Sequence, residues 1–384
     1  MSQLYIFNPD HDLALASNSD HFDAPLSARI FARDFSLLPL WYAEPDAVIV
    51  SERIDSKWFT EIQTLFPQLA GQRIVSSYEY ADNAQPWGWN KTIRKTLEKH
   101  HFPQVPSIAY LETLRKLQHR ALAIEATTYM QDIQSDTLKL AKPAVLLTEH
   151  EIFQFVENHP FAILKAPWSG SGKGIIRSLG TLSENLLNRA KNIAIKQSGI
   201  VAEPLYTVVQ DFAMEFFCAD NETRFAGYSL FFSNEHGAYM GNWLATDEQI
   251  AERLSQWISP TDLLRIQQRL TDFLNEQVAP YYSGYLGVDM FVYQQDNRYF
   301  IHPCVEINLR MTMGLVARKL YDTFVETGKT GMYSVEFQKN IDETTLSHKQ
   351  NHSPIIENGR IQKGELFLTP RYSDTQYFAH VTVE

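Results

Sequence analysis

Three consecutive segments decide how this chain is read: Gly287-Val288-Asp289-Met290-Phe291-Val292-Tyr293, the polar turn Gln294-Gln295-Asp296-Asn297, and Tyr299-Phe300-Ile301-His302-Pro303-Cys304-Val305-Glu306-Ile307-Asn308-Leu309-Arg310. Apolar, aromatic and β-branched residues on both sides of a turn-forming pair predict a β-hairpin. With Asp296-Asn297 as a two-residue turn, Gln295 pairs with Arg298, and counting back sets Asp289 opposite Cys304 and diagonal to Glu306. Side chains alternate along a strand, so Asp289, Glu306 and Asn308 share one face, with diagonal neighbours about 7 to 8 Å apart. Burying two carboxylates and a carboxamide together is costly without a counter-charge, and an all-oxygen set of this kind suits a hard cation such as Mg2+. Arg310 follows on the same face, where an anionic substrate would need a fixed cation. A solvated face whose acids pair with Lys or Arg is the alternative, but apolar residues at the intervening positions favour packing.

The rest of the composition bounds the function. At about 100 to 200 residues per domain, 384 residues hold two or three compact units. With 44% hydrophobic and 21% charged residues, a soluble globular protein is expected rather than a disordered one. A net charge of -11 and the lack of a basic stripe argue against a nucleic-acid partner. Cys218 and Cys304 lie in apolar runs and read as core thiols. There is no apolar run of 18 residues and no signal-like start, so a cytoplasmic location with no membrane partner is the expectation.

In the first hundred residues, short apolar runs at 4–7, 47–50 and 73–75 alternate with helical stretches. A helix is predicted over 28–38, stopped by Pro39, and another over 55–66, ahead of Pro67. Alternation of this kind implies a small parallel α/β sheet, whose ligands gather beyond the strand carboxyl ends, where His11 and Asp12 lie. That pair equally suits a turn or a helix cap. A helix over 91–100 carries Lys91 in its first turn, either as an ordinary exposed residue or placed for an anion. Residues 111–130 read as further helix, with Arg115, Lys116, His119 and Arg120 on a solvated face. Thr148-Glu149-His150-Glu151 is a capping box, and so is Thr181-Leu182-Ser183-Glu184. Strands follow over 207–217, 223–232 and 237–244, in antiparallel pairing. Pro260 then opens a helix with Leu263, Leu264, Ile266, Leu270, Phe273, Leu274 and Val278 on one apolar stripe. Beyond residue 330 the tail ends in a strand-like 377–383 and carries no legible chemistry.

A second landmark is the strand ending in Lys165-Ala166-Pro167-Trp168, followed by Ser169-Gly170-Ser171-Gly172-Lys173-Gly174. Alternate glycines let backbone N–H groups turn toward an anion, which makes a phosphate cradle. This is not a Walker loop, because the first glycine of that pattern is missing and Gly174 stands where Ser or Thr would bind the metal. A glycine-rich hairpin turn with no ligand is the alternative.

Taken together, Lys91, Lys165, the glycine loop, Glu203, Asp211, Asp289, Glu306, Asn308 and Arg310 occur in an order that resembles the ATP-grasp superfamily. The resemblance covers roughly residues 1–320. Its most specific part is Asp289 with Glu306-Ile307-Asn308-Leu309-Arg310, which looks like the family's magnesium motif. It implies a mixed α/β and α+β fold: a Rossmann-like N-terminal domain over 1–106, a connector and first ATP-grasp lobe over 107–200, a second lobe with the metal site over 201–330, and an extension over 331–384. By the same resemblance, ATP and Mg2+ (or Mn2+) are the cofactors. Lys91 and Lys165 would touch phosphates together with Ser169, Gly170, Ser171 and Gly172, Glu203 and Leu205 would meet adenine, and Asp211 would take the ribose hydroxyls. Asp289, Glu306 and Asn308 would hold the metal, with Arg310 and Lys165 catalytic. The long connector ahead of Lys165 and the tail after residue 320 depart from the pattern and leave the substrate open.

The expected activity is an ADP-forming ligase that joins a small-molecule carboxylate to an amine or thiol through an acylphosphate. The rivals are a kinase that stops after phosphoryl transfer and an ATP-binding regulatory or scaffold protein without turnover.

Overall fold

The computed structural model describes residues 2–78, 81–134, 138, 140–141, 143–169, 174–234, 237–339 and 353–384. The chain opens with a parallel sheet of β1 (Gln3–Ile6), β2 (Val48–Val50), β3 (Arg73–Val75) and β4 (Asn83–Pro86), in the order β3-β2-β1-β4. Around it lie α1 (His11–Ser17), α2 (Leu26–Asp34), α3 (Ser56–Leu65) and α4 (Lys91–Lys99). Asp55 caps α3 by accepting from the Trp58 N–H, and Asn90 caps α4 by accepting from Ile93, so both helices start where an Asx side chain replaces a missing backbone partner. The helix expected over 28–38 ends earlier, at Asp34. A 3-10 turn, Leu38–Trp41, with Pro39 in its first positions, carries the chain on into the core.

Residues 111–130 are not one helix. They belong to α5 (Ile108–Leu117) and α6 (Ala121–Tyr129), and Arg120 sits at the break, buried rather than solvated. Next comes a four-stranded antiparallel sheet of β5 (Ala144–Leu146), β6 (Phe161–Lys165), β7 (Ile175–Leu179) and β8 (Ile200–Pro204), in the order β5-β8-β6-β7. It is backed by α7 (Glu149–Asn158) and α8 (Glu184–Lys196). Thr148 and Glu151 form the expected reciprocal capping box on α7, whereas α8 is capped by Ser183 rather than Thr181.

The largest sheet has nine strands. Its first five are β9 (Thr207–Ala219), β10 (Glu222–Ser233), β11 (Tyr239–Leu244), β12 (Gly284–Gln295) and β13 (Arg298–Asn308). Between β11 and β12 run α9 (Asp247–Leu254) and α10 (Pro260–Gln277). The stripe Leu263, Ile266, Leu270, Phe273 and Leu274 of α10 packs on Phe212, Met214, Leu286 and Val288 to make the main core. Leu264, expected on that stripe, is exposed. After α11 (Met313–Phe324), the tail adds β14 (Gly331–Phe337), β15 (Ile355–Glu357), β16 (Arg360–Phe367) and β17 (Tyr377–Val383) to the same sheet, which runs β13-β12-β9-β10-β11-β14-β17-β16-β15.

The tail also fastens the N-terminal sheet to this large one. The Trp41 indole N–H donates to the Leu368 carbonyl at 2.6 Å, Asp34 accepts from the backbone of Gln376 and Tyr377, and Asp374 pairs with both Arg33 and Arg53. Both cysteines are buried free thiols, as read from the sequence. Among the described residues, no helix is long and apolar enough to cross a membrane.

Candidate active site

The hairpin turn is the two-residue one expected. Asp296 and Asn297 both take the left-handed conformation (φ 50 and 58), and Gln295 faces Arg298. Further along, the pairing departs from the simple count. Phe291 faces His302, but Asp289 faces Glu306 rather than Cys304, so β13 has slipped by two residues over 303–305. Pro303 lies in the displaced stretch and has no N–H to give the ladder. A slip of two preserves parity, and Asp289, Glu306 and Asn308 still share a face.

On that face the charges are closely coupled. The Asn308 amide donates to Asp289 Oδ2 at 3.1 Å, and its oxygen accepts from Arg310 Nη2 at 2.9 Å. Burial, and then the neighbouring Glu306 carboxylate, push Asp289 up to about 7, against the pull of Arg310 and Asn308. Among the described residues, no three His, Cys, Asp or Glu side chains converge to hold a metal. Two carboxylates and a carboxamide are instead the kind of set that Mg2+ completes with phosphate oxygens and water. The mutual repulsion of Asp289 and Glu306 is a fit for such a cation, since a positive charge between them relieves it.

The same face carries a further acid, to which no role was assigned above. Glu215 of β9 lies opposite Gly287 and is 1% exposed, accepting from Thr312 Oγ1 at 3.1 Å. A Cβ at Gly287 would lie 2.5 Å from Glu215 Oε2, so the carboxyl fits only against a glycine. Burial, and then Asp289, raise Glu215 to about 8.

A second group joins the two antiparallel sheets. Lys165 ends β6, and its ammonium pairs with Glu203 Oε1 of β8, while Glu203 Oε2 takes His302 Nε2 of the hairpin at 2.8 Å. Burial alone would raise Glu203, but Lys165 and then His302 overcome it and hold the carboxyl at about 2. His302 also packs its ring 4.9 Å from Phe291, so it serves the core and the ion pair together. Asp211 of β9 is pushed up to about 6 by burial, partly offset by the Ser233 hydroxyl and Lys165. Leu205 spends its N–H on the Phe161 carbonyl at 2.9 Å.

The residues that flank the glycine-rich loop are gripped from an unexpected side. Gly170, Ser171 and Gly172 lie outside the described residues, but the base of the loop is closed by the Ala166 N–H donating to the Gly174 carbonyl at 2.9 Å. Arg120 donates to Ser169 Oγ at 2.7 Å, to the Ala166 carbonyl, and to Glu306 Oε2 at 2.8 Å. Arg115 stacks 3.6 Å over the Trp168 ring, and His119 meets the same ring edge-on. Of the basic stretch read as a solvated face, Lys116 is exposed, whereas Arg115, His119 and Arg120 pack against the residues that flank the loop. Helical spacing carried no sign of this, because the helix breaks at Arg120. Lys91 pairs with Glu112 of α5 at 2.5 Å and is not brought to the other candidates in this arrangement.

From the parallel sheet, Asp12 reaches the hairpin face. Arg310 donates Nε to Asp12 Oδ1 at 3.0 Å and Nη2 to Oδ2 at 2.8 Å, a bidentate pair with both side chains about 15% exposed. His11 beside it is fully buried between Asn90 and Gln118. Of the two sequence candidates at the end of β1, Asp12 thus meets the hairpin face and His11 the interior.

No family model and no curated protein sequence matches the chain. Solved structures do match. An N5-carboxyaminoimidazole ribonucleotide synthetase in its ADP complex aligns with 100% of this chain and 92% of its own, at 15% identity and a TM-score of 0.52. An N5-carboxyaminoimidazole synthetase from Staphylococcus aureus, also complexed with ADP, covers 100% and 93% at 12% identity and a TM-score of 0.51. With a parallel N-terminal sheet and two antiparallel sheets, and with these matches over its whole length, the chain has the fold of the ATP-grasp enzymes.

Proposed function

We propose that this protein is an ADP-forming ligase that joins a small-molecule carboxylate to an amine or thiol at the expense of ATP. The observation that carries the reading is the convergence of Lys165, Asp211, Asp289, Glu306, Asn308 and Arg310 along the junction of the four-stranded and nine-stranded sheets, linked by Glu203 and His302. Residues 1–106 would supply the substrate side through Asp12, 107–200 the glycine loop and its grip, 201–330 the metal face, and 331–384 the strands that fasten the parts.

Lys165, Ser169 and residues 170–172 would hold the nucleotide phosphates, with Glu203 and Leu205 toward the base, Asp211 toward the ribose and Lys91 at the margin. Asp289, Glu306 and Asn308 would hold Mg2+ (or Mn2+), which neutralises charge on the polyphosphate. Lys165 and Arg310 add fixed positive charge where phosphoryl oxygens gain negative charge. A substrate carboxylate oxygen attacks the γ-phosphorus and the bond to ADP breaks, giving an acylphosphate. The amine nitrogen or thiol sulfur then attacks the acyl carbon, losing a proton as phosphate leaves. Binding geometry accounts for this without a dedicated base in the first step, because a carboxylate is already ionised.

The test is to incubate the protein with ATP, Mg2+, hydroxylamine and a panel of carboxylic acids. ADP together with a hydroxamate supports the ligase. ADP with a stable phosphate ester would replace it by a kinase, and nucleotide binding without ADP from any acid or alcohol would leave a binding protein.

A further inference from the structure

The Arg310 guanidinium, the fixed cation beside which an anionic substrate would bind, is already engaged. Arg310 spends Nε and Nη2 on Asp12, Nη2 also on Asn308, and Nη1 on the Met311 carbonyl at 3.1 Å. A carboxylate can take the fork only by displacing Asp12. Asp12 is itself largely buried, and an acid stripped of its partner in such a place is strongly destabilising, much more so than the pair is stabilising. A simple carboxylate would therefore replace one ion pair and strand another.

The balance changes if the incoming molecule brings its own cation. A molecule with a carboxylate and an ammonium a few bonds apart would satisfy Arg310 with one end and Asp12 with the other, turning one ion pair into two. Asp12 is suited to this by its place just beyond the carboxyl end of β1, on the side where parallel sheets receive ligands. It stays ionised there, since Arg310 and His11 outweigh burial and hold it below the usual range. We infer that the carboxylate substrate is a zwitterion of the amino-acid type, with Arg310 binding its carboxylate and Asp12 its ammonium. This rests on the ligase reading and narrows its substrate to one class.

The experiment compares matched molecules on the full chain with Mg2+ and a nonhydrolysable ATP analogue present. The probes are the common α-amino acids with β-alanine and γ-aminobutyrate, each against the same acid without its amino group, and against that acid plus separate ethylamine. Binding is read by titration calorimetry and by thermal shift. At least one amino acid is expected to bind roughly ten to a hundred times more tightly than its desamino partner. Asp12→Asn should weaken that amino acid and strengthen the desamino acid, because it removes the ammonium's partner and frees Arg310. A loss of folding alone would move both in the same direction, and retention of the nucleotide-analogue shift in the variant shows that the fold is intact. No amino acid bound above its partner, or an unchanged preference in Asp12→Asn, overturns the inference. Ethylamine restoring full binding of the desamino acid also overturns it, in favour of two separate ligands. The ligase reading fails separately, by the absence of ADP and hydroxamate in the presence of ATP, whichever molecules bind.

Discussion

Arg120 and Glu306, 186 positions apart, meet at 2.8 Å, and through that contact the break between α5 and α6 touches the acidic face of the hairpin. The same guanidinium donates to Ser169, the last described residue before the glycine-rich loop, so one side chain ties the loop's stem to the acidic face of the hairpin. In the absence of a cation it neutralises Glu306. A divalent cation on Glu306 would compete with it for the same oxygen, which makes Arg120 a positioning residue whose hold on the hairpin depends on what else is bound.

Arg120→Met is therefore expected to lower the stability of the ligand-free protein by about 2 to 3 kcal/mol, somewhat under the cost of breaking a fully buried pair because Glu306 is 21% exposed. It should also increase the stabilisation given by MgCl2 or MnCl2 alone, since Glu306 is released. Urea unfolding at several cation concentrations measures both. Equal cation responses in the variant and the native protein would remove Arg120 from the metal's surroundings.

For Lys165, the partner it leaves behind sets the outcome. Lys165→Met strands the buried Glu203 with His302 alone and should cost about 3 to 5 kcal/mol. The double variant Lys165→Met with Glu203→Gln should recover most of that loss. In the native protein, Mg2+ and ATP at about 100 times the dissociation constant should add about 2.7 kcal/mol, and neither variant should show this gain. Recovery of the nucleotide effect in the double variant would take Lys165 out of the phosphate site.

Stability against pH should show two opposing limbs. Glu215, raised to about 8, and Asp289, raised to about 7, hold protons in the folded state that the unfolded chain releases near pH 4, so their contribution is full below that pH and is lost as pH rises toward 8. Glu203, held at about 2, works the other way: its contribution is present above its unfolded value and is lost as pH falls from about 4.5 toward 2. Glu215→Gln should flatten the alkaline limb between pH 5 and 8 and leave the acid limb in place, as read by denaturant unfolding in buffers across that range. An unchanged alkaline limb would show that Glu215 is not protonated in the folded protein.

Glu306→Gln keeps the shape of the hairpin face and removes one charge. Nucleotide should still bind, its affinity should lose most of its dependence on Mg2+, and ADP formation should fall by about two orders of magnitude or more. Asp289 should at the same time titrate lower, because the neighbouring carboxylate that raises it is gone. Full turnover in this variant would take Glu306 out of the site.

Much of the fold was legible because it follows from short-range periodicity. The two-residue turn at Asp296-Asn297, the period-two alternation into Glu306 and Asn308, and the α10 stripe each depend on residues within a few positions of one another. Parity survived even where the count did not: the slip around Pro303 moved Asp289 from Cys304 to Glu306 without turning it to the other face. The errors at Pro39, Thr181 and Leu264 lie at element ends and stripe margins, where one turn of backbone or one rotation of the helix decides the outcome.

The sequence by itself determined which chemical groups are available and which strand faces present them: acids and an amide on one side of a hairpin, a lysine at a strand end before alternating glycines, and a resemblance that set the fold. Only the tertiary structure decided which charges meet. Arg120 finds Glu306, Asp12 finds Arg310, and Lys165, Glu203 and His302 close into one group across two sheets. Each of these pairs joins segments whose separation is set by how the sheets and the α5–α6 break pack together. The strength of a charge's interaction depends on that distance and on the water excluded around it, neither of which spacing along the chain encodes.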